Sequence, residues 1–342
     1  MDADGFTIGE GDCNDCEPLV NPNAVEDLST PDDDDCDGSL TAVLEPCDSG
    51  LGLDLADPVA VLEAIELCKV SRGADDWGVV SAAWVMPDGA PPPTDAQDSA
   101  GFHLGHGVMN DFGPNVAPRA GQRILVLSNG TARRPSDPGY LDVTSSGMGY
   151  QGNMPAGFPK AGPCNNPGSD TTAFDPTAIE AVIRAPSNAT SFSFHFSFYA
   201  ADYPGFVCSG FNDAFSVQVI PTPMGLSDGN VAFHGMDFPF SVNGAPFDVC
   251  GCMGGPPCMA GGQTFACTQG TMALMGNGFG ADVSDNRGAT GWMRTKVPID
   301  PGAEITVRWA VWDAADGIFT ATALIDNFTW NADGPEWTTP DP

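Results

Sequence analysis

Acidic side chains dominate the first 40 residues, and their spacing suits the binding of a metal ion. These residues include 13 Asp and Glu but neither Lys nor Arg. The acids alternate with turn-forming residues in three short stretches, which are Asp2-Ala3-Asp4-Gly5, Gly11-Asp12-Cys13-Asn14 and Asp33-Asp34-Asp35-Cys36-Asp37. Ca²⁺ takes about six to eight oxygen ligands from carboxylates, carbonyls and water. We therefore predict a Ca²⁺-binding segment; the alternative is a solvated acidic tail, which would need neither the glycines nor the cysteines.

The same segment resembles the MopE-type metal-binding motif of secreted, myxobacterial-type proteins. The matching elements are Asp-Ala-Asp-Gly-Phe-Thr at 2–7, Gly-Asp-Cys-Asn-Asp-Cys at 11–16, Val-Asn-Pro-Asn-Ala-Val-Glu at 20–26 and Asp-Cys-Asp-Gly at 35–38. The resemblance implies eight ligands for Ca²⁺, which are Asp2, Asp4, Asp12, Asn14, Glu26, Asp33, Asp35 and Asp37.

The remainder of the chain must position any further site, and its pattern is mostly that of β-strands. Apolar and polar residues alternate with a period of two, most clearly where Phe alternates with Ser and His at 191–198. The predicted strands are 77–85, 124–128, 177–185, 191–198, 215–219, 304–312 and 324–330; residues 177–185 could instead begin a short helix. One short helix is predicted at 57–68, since Asp57 can cap it and Pro58 suits its first position.

These elements predict an all-β chain, an antiparallel, jelly-roll-like β-sandwich with long loops and a small loop-rich module at its N-terminus. The stretches 86–122, 145–170 and 250–291 are rich in Gly, Cys and Met, and we expect them to be loops. Loops of this length are usually functional or cross-linked.

Residues 44–331 resemble the choice-of-anchor L type of bacterial surface domain. The matching stretches include Trp77-Gly78-Val79-Val80 and Leu127-Ser128-Asn129-Gly130, and the most specific ones are Phe211-Asn212-Asp213-Ala214-Phe215 and Leu324-Ile325-Asp326-Asn327-Phe328. The resemblance implies a sandwich fold and a place at the cell surface, but no particular reaction. We predict three parts: a calcium-binding module at 1–43, the sandwich at 44–331 and a Pro/Thr-rich linker at 332–342.

A second, weaker Ca²⁺ site is predicted within the sandwich. Acidic residues stand before one predicted strand, in the turn between two others and inside the last one. The candidate ligands are Asp202, Asp213, Asp313, Asp316 and Asp326. The alternative is that these residues only form turns and caps.

Eleven cysteines and an acidic surface predict an oxidising compartment outside the cytoplasm. We expect Cys47 to bond to Cys68, and Cys164 to Cys208. The cluster of Cys250, Cys252, Cys258 and Cys267 allows three pairings, and its spacing also permits zinc. Among Cys13, Cys16 and Cys36 one thiol is left over, and the candidate disulfide set includes Cys13 and Cys36.

A copper site at His103 and His106 is not expected. Only a helix would bring residues three apart together, and Gly105-His106-Gly107 is a poor helix former.

The charge and the missing motifs exclude several classes of function. The formal net charge is −33 with only 12 Lys and Arg, so binding of nucleic acid is excluded and anionic membrane surfaces are disfavoured. The sequence has no apolar run of about 18 residues and no Gly-x-Ser-x-Gly, His-Glu-x-x-His or phosphate-binding loop. The first residues lack the features of a signal peptide, so we expect this chain to be a piece of a longer exported protein.

The predicted function is that of a non-enzymatic, secreted or cell-surface calcium-binding protein. Its role would lie in adhesion, extracellular matrix or glycan binding, with a surface glycan or a second copy of itself as partner, and without membrane insertion. One alternative is a self-assembling filament or surface-layer subunit. The other is a glycan-active hydrolase on the same sandwich, since paired carboxylates are abundant.

Overall fold

Alternation of apolar and polar residues produces long antiparallel strands in the computed structural model. The structure describes residues 2, 4–41, 46–160, 162–164, 170–235, 237–280 and 287–332. The predicted boundary between residues 43 and 44, and all but the first residue of the predicted linker, lie outside this part of the chain.

The described strands belong to two large sheets and one small hairpin. Their bounds are β1 Gly78–Val85, β2 His106–Met109, β3 Ile124–Ser128, β4 Gln151–Asn153, β5 Thr172–Arg184, β6 Ser191–Ala200, β7 Ala214–Ile220, β8 Phe233–His234, β9 Phe238–Ser241, β10 Cys258–Ala260, β11 Gln263–Phe265, β12 Gly288–Ala289, β13 Met293–Pro298, β14 Glu304–Asp313 and β15 Ala321–Asn331.

The two sheets pack as an antiparallel β-sandwich, as predicted. The first sheet has the order β1-β5-β14-β7-β9-β8, with β4 also paired to β5. The second has the order β12-β6-β15-β3-β2, with β13 also paired to β6. All strand pairs in these sheets are antiparallel, and β10 pairs with β11 as a separate hairpin. Residues 177–184 are strand and belong to β5, which begins five residues earlier than predicted and ends one residue earlier.

The phenylalanines of β6 fill the space between the sheets. Phe194 lies 6.0 Å from Trp309 of β14 in the first sheet, measured between ring centroids. Phe196 contacts Phe240 and Phe215, with centroids 4.7 and 5.3 Å apart. These aromatic pairs join one layer to the other, so β6 lies at the centre of the core.

The predicted helix is shorter than expected, and a second helix was missed. Helix α1 spans Pro58–Val61, with Asp57 accepting the Val59 N–H at 3.0 Å, and a 3-10 helix continues over Leu62–Ile65. It ends at Glu66, whose φ of 68° is left-handed, instead of continuing to residue 68. Helix α2 occupies Ala96–Leu104, so the prediction of one short helix is wrong for the described residues.

Three predicted loops contain short elements. Helix α2 and β2 lie in 86–122, β4 lies in 145–170, and β10, β11, β12 and a 3-10 helix at Met272–Leu274 lie in 250–291. No helix in the described ranges is long and apolar enough to cross a membrane.

The N-terminal segment has no strand among its described residues, and it docks on the connection between β5 and β6. Asn188 accepts the Val25 N–H at 2.9 Å and donates from Nδ2 to the Val25 carbonyl at 2.7 Å. Ser187 donates from its N–H to the Asn23 carbonyl at 2.8 Å and from Oγ to Asn21 Oδ1 at 2.9 Å. Asn21 is fully buried there. The module therefore has a defined seat on the sandwich.

Five disulfides cross-link the described chain. Cys47 bonds to Cys68 and Cys164 to Cys208, as expected, and Cys13 bonds to Cys36. The local cluster pairs as Cys250–Cys267 and Cys252–Cys258, so these thiols are used in disulfides and not in a zinc site. Cys16 is the free thiol, and it is exposed.

Replacement of Phe196 by Ala should destabilise the sandwich by about 3–5 kcal/mol, because it leaves a cavity at the buried contact between the sheets. Equilibrium unfolding in urea with the disulfides intact measures this loss. Ile220→Ala, at a half-exposed position on β7, is the control and should change the free energy of unfolding by about 0.5 kcal/mol or less. Equal effects of the two substitutions would contradict the assigned core.

Candidate metal sites and an adjoining cleft

The first candidate metal group joins Asp2, Asp4 and Asp12. One carboxylate oxygen from each lies within 4.8 Å of the other two. Asp4 and Asp12 use their Oδ1 atoms locally, accepting the N–H groups of Phe6 at 2.9 Å and Asn14 at 2.8 Å. The Oδ2 atoms of all three acids are buried and accept no hydrogen bond from the described residues. Carboxylate oxygens that have no other partner are the type of ligand that Ca²⁺ prefers.

The second candidate group joins Glu26, Asp33 and Asp35, again with one oxygen each within 4.8 Å. Backbone N–H groups hold the acids in place: Glu26 Oε1 accepts from Asp34 at 2.7 Å and from Asp35 at 3.3 Å. Burial raises the pKa of Glu26 and of Asp35, and neighbouring aspartates add to both effects. Burial and the nearby like charges therefore oppose the ionisation of Glu26 and Asp35, whereas a bound cation would favour it.

Asn14 and Asp37, the other two predicted ligands, do not belong to either of these groups. The Asn14 side chain is exposed, and its N–H donates to Asp12. Asp37 donates its N–H to Asp33 Oδ1 at 3.1 Å and to Asp35 Oδ1 at 3.2 Å, while its own Oδ1 accepts the Ser39 N–H. The roles of Asn14 and Asp37 as ligands stay predictions.

Asp34 has a structural role that the sequence did not single out. Its side chain is 4% exposed and accepts hydrogen bonds from the Asp27 N–H at 3.0 Å and from Thr30 Oγ1 at 2.8 Å. Its carbonyl accepts the Asn21 N–H at 2.9 Å. In the run of four aspartates, Asp34 thus faces inward, whereas Asp33 and Asp35 belong to the second candidate metal group.

A third group of carboxylates lies at one end of the sandwich, where Asp202, Asp213 and Asp313 come together. Asp213 shares a side-chain hydrogen bond with each of the other two, and it accepts Asn129 Nδ2 at 2.9 Å and the Ala314 N–H at 3.2 Å. Asp202 is 3% exposed, and its Oδ2 accepts no hydrogen bond from any described residue. Burial raises the pKa of Asp202 to about 7 and that of Asp313 to about 8. It raises the pKa of Asp213 well above its ordinary value, and Asp313 and Asp202 raise it further.

Of the five acids predicted to form the second site, the structure brings these three together and places Asp326 elsewhere; the binding of Ca²⁺ by the three stays a prediction. Asp316 is exposed and close enough for its charge to raise the pKa of Asp202 and of Asp313. Asp326 pairs with His195 on β6, five residues along the strand from the Ala321–Ala200 pair. Five strand residues span about 17 Å. Asp326 instead lies beside Glu66.

A cleft of about 280 Å³ separates the N-terminal module from the sandwich. Glu26, Asp35 and Asp37 line its module side, and Trp77 and Trp330 line its sandwich side. Trp330 packs edge-on against Phe328, with centroids 5.0 Å apart, and Lys69 Nζ lies 4.1 Å from the Trp77 ring centroid. No pattern in the sequence predicts this cleft, because it depends on how two separate segments dock.

The two histidines that were expected to lie apart are neighbours. Helix α2 does form and ends with His103 in its last turn, and the rings of His103 and His106 are 5.0 Å apart between centroids. His106 stacks on Trp84 at 3.7 Å, and burial lowers its pKa to about 3. Its ring is therefore neutral and packed against an aromatic residue.

Comparison with known proteins leaves the family open. No family model matches the chain, and no curated protein matches it. A solved structure of the K2 cleaved adhesin domain of Lys-gingipain is similar over 73% of this chain and 98% of that chain, at 11% sequence identity and a TM-score of 0.26. A similarity at this TM-score carries no argument about function. The resemblances to the MopE-type motif and to the choice-of-anchor L domain stay predictions.

Removal of divalent cations should open the N-terminal module to proteolysis, because its grouped carboxylates would then repel one another. Trypsin cannot cut this segment, since the first basic residue is Lys69. The suitable assay uses Glu-C, a serine protease that cuts after acidic residues and stays active in chelator, with mass spectrometry of the fragments. Asp12→Asn and Glu26→Gln should each weaken the protection by Ca²⁺, whereas Glu17→Gln, at an exposed position outside both groups, should not. Unchanged resistance after full chelation would refute the metal assignment.

In the presence of a chelator, the free energy of unfolding should fall as the pH rises from about 4 to about 8. The folded state keeps protons on Asp202, Asp213 and Asp313, whose raised pKa values exceed those of the unfolded chain. Stability from these protons is complete below the ordinary pKa and is lost above the raised one. Asp213→Asn should flatten the decline measured by urea unfolding, whereas the exposed control Asp300→Asn should keep it. Equal slopes in both variants would contradict this origin.

Proposed function

We propose that this protein is a non-enzymatic extracellular adhesion module that binds carbohydrate in the cleft between its cation-holding N-terminal module and its β-sandwich. The observation that carries the proposal is the composition of that cleft. Carboxylates of one candidate metal group lie on one side, and two tryptophans lie on the other.

Each side of the cleft suits a different part of a sugar. An indole ring offers an apolar face to the C–H surface of a pyranose. Glu26 and Asp35 belong to a group that could hold Ca²⁺, and Ca²⁺ accepts further oxygens such as hydroxyls and water. Asn327 also lines the cleft and supplies an amide for directional hydrogen bonds. Few polar groups beside aromatic surface are typical of small-molecule sites.

The disulfides support the extracellular part of the proposal. Five of them occur among the described residues, and such bonds persist in oxidising compartments. Attachment to a cell surface and a role in adhesion are proposed together with the sugar site.

Glycan-array binding in Ca²⁺ tests the proposal, followed by titration of the best glycan. Trp330→Ala should weaken the affinity about tenfold or more, because it removes the stacking surface. Glu26→Gln or a chelator should weaken it as well. Trp292→Ala is the matched control, since Trp292 is a partly buried tryptophan that packs against another core cluster.

Three results would overturn this function. They are the absence of any glycan bound in Ca²⁺, equal binding by the Trp330→Ala and Trp292→Ala variants, and release of shorter sugars from the bound glycan. The last result would favour the hydrolase alternative. Growth of the sedimentation coefficient with Ca²⁺ in the absence of glycan would favour self-assembly.

A further inference from the structure

Three acidic residues from distant parts of the sequence meet behind the cleft. They are separate from the two carboxylate groups of the module and from the group at the end of the sandwich. Asp48 follows the disulfide-bonded Cys47, and Glu66 ends the 3-10 helix just before Cys68. Asp326 lies at an irregularity of β15, where the pairing with β6 shifts register. The Cys47–Cys68 disulfide therefore holds the segments of Asp48 and Glu66 together.

Backbone N–H groups orient all three carboxylates. Asn327 donates to Glu66 Oε2 at 2.8 Å and to Asp326 Oδ1 at 2.6 Å. The N–H of Arg119 donates to Asp326 Oδ2, and that of Gln122 donates to Asp48 Oδ2. The acids are thus fixed by the fold and are not free to turn toward solvent.

Gly121 lets two of these carboxylates approach the same point. A Cβ atom at this position would lie 2.5 Å from Asp48 Oδ2 and 2.7 Å from Glu66 Oε1, too close for any side chain. Its φ of 54° also belongs to the left-handed region that favours glycine. A glycine at this position keeps the space between the carboxylates clear.

Two carboxylate oxygens of this group accept no hydrogen bond in the described part of the protein. Asp48 is 1% exposed, and its Oδ1 accepts no hydrogen bond from the described residues; the same holds for the buried Glu66 Oε1. Asp326 is fully buried. None of the ion pairs among described residues involves these three acids. Buried carboxylate oxygens that accept no hydrogen bond are rare in proteins unless a counter-charge is bound.

We propose that Asp48, Glu66 and Asp326 form a buried site for a divalent hard cation of the Ca²⁺ class, reached from the cleft. Glu66 and Asn327 both line the cleft, which provides the entry path. The ligands are all oxygen, which favours Ca²⁺ or Mg²⁺ over transition metals. The three acids do not each bring one oxygen within 4.8 Å of the other two, as the N-terminal groups do. At least one of them would therefore bind the ion through water, which Ca²⁺ accepts among its ligands.

The electrostatics of the site agree with this geometry. Burial raises the pKa of Glu66 to about 9, and the charge of Asp326, a hydrogen bond with the Asp326 side chain and the charge of Asp48 add to the effect. Burial likewise raises the pKa of Asp326 to about 7. Either protons or a cation must therefore balance these groups at neutral pH, and the test has to separate the two.

The number of bound Ca²⁺ ions per chain distinguishes a bound cation from shared protons. The Ca²⁺ content after gel filtration in a Ca²⁺ buffer at neutral pH, measured by elemental mass spectrometry, should fall by one ion per chain in the variant with Glu66→Gln and Asp326→Asn. The same loss should appear when Asp12→Asn and Glu26→Gln are already present, because the sites are separate. Glu63→Gln, at a partly buried position on the same 3-10 helix, is the matched control and should lose no ion.

An unchanged ion count in the double variant would overturn the proposal, and a higher melting temperature of that variant in chelator would identify a proton-sharing carboxyl pair instead. If the double variant does not fold, anomalous scattering from wild-type crystals soaked in Mn²⁺ decides the question. An anomalous peak among Asp48, Glu66 and Asp326 supports the site. The lack of a peak there, when Mn²⁺ fully occupies the other sites, refutes it. Neither result depends on whether the cleft binds carbohydrate.

Discussion

Repulsion between crowded carboxylates is the force that the N-terminal module and the interior of the sandwich must both balance. Two unit charges 4 Å apart repel by about 4 kcal/mol at an effective dielectric constant of 20. The protein has few cations with which to offset this, since Lys and Arg number 12 against 45 Asp and Glu. Backbone N–H groups supply part of the balance, as at Glu26 and Asp326, but their partial charges do not neutralise a carboxylate.

This constraint links the module to the proposed cleft. Glu26 is oriented by the N–H groups of Asp34 and Asp35, and Asp34 in turn accepts hydrogen bonds from Asp27 and Thr30. A change in the charge on Glu26 therefore acts on the same loop that lines the cleft. The proposed sugar site and the proposed ion site share Glu26 and Asp35, so a sugar and a cation would each affect the affinity for the other.

The long strands were predictable because alternation over eight or more residues is the pattern of a strand with one buried face and does not fit the period of a helix. Phe192, Phe194, Phe196 and Phe198 identify β6 and the face that packs between the sheets from sequence alone, whereas the burial of the serines on the other face was not predictable. Short elements such as β4 and β12 carry no such pattern, since two or three residues cannot establish a period. Helix α2 was missed because its residues are mostly small or polar, and its apolar contacts are confined to Phe102 and its neighbours.

Groups of acidic residues were predictable where their members are close in sequence. The spacing of Asp2, Asp4 and Asp12 can be recognised directly, whereas the meeting of Asp202 with Asp313 depends on strand order. Asp326 was grouped wrongly because a position within a strand does not reveal how far along the sheet it lies. Asp48 and Glu66 carry no recognisable sequence signal, since a disulfide and a strand irregularity bring them to Asp326.

The seat of the module on Asn188 has a mechanical consequence. The connection that carries Asn188 joins β5 of one layer to β6 of the other. Tension applied to the module would therefore reach both layers through this crossover, in addition to the covalent chain that follows the module.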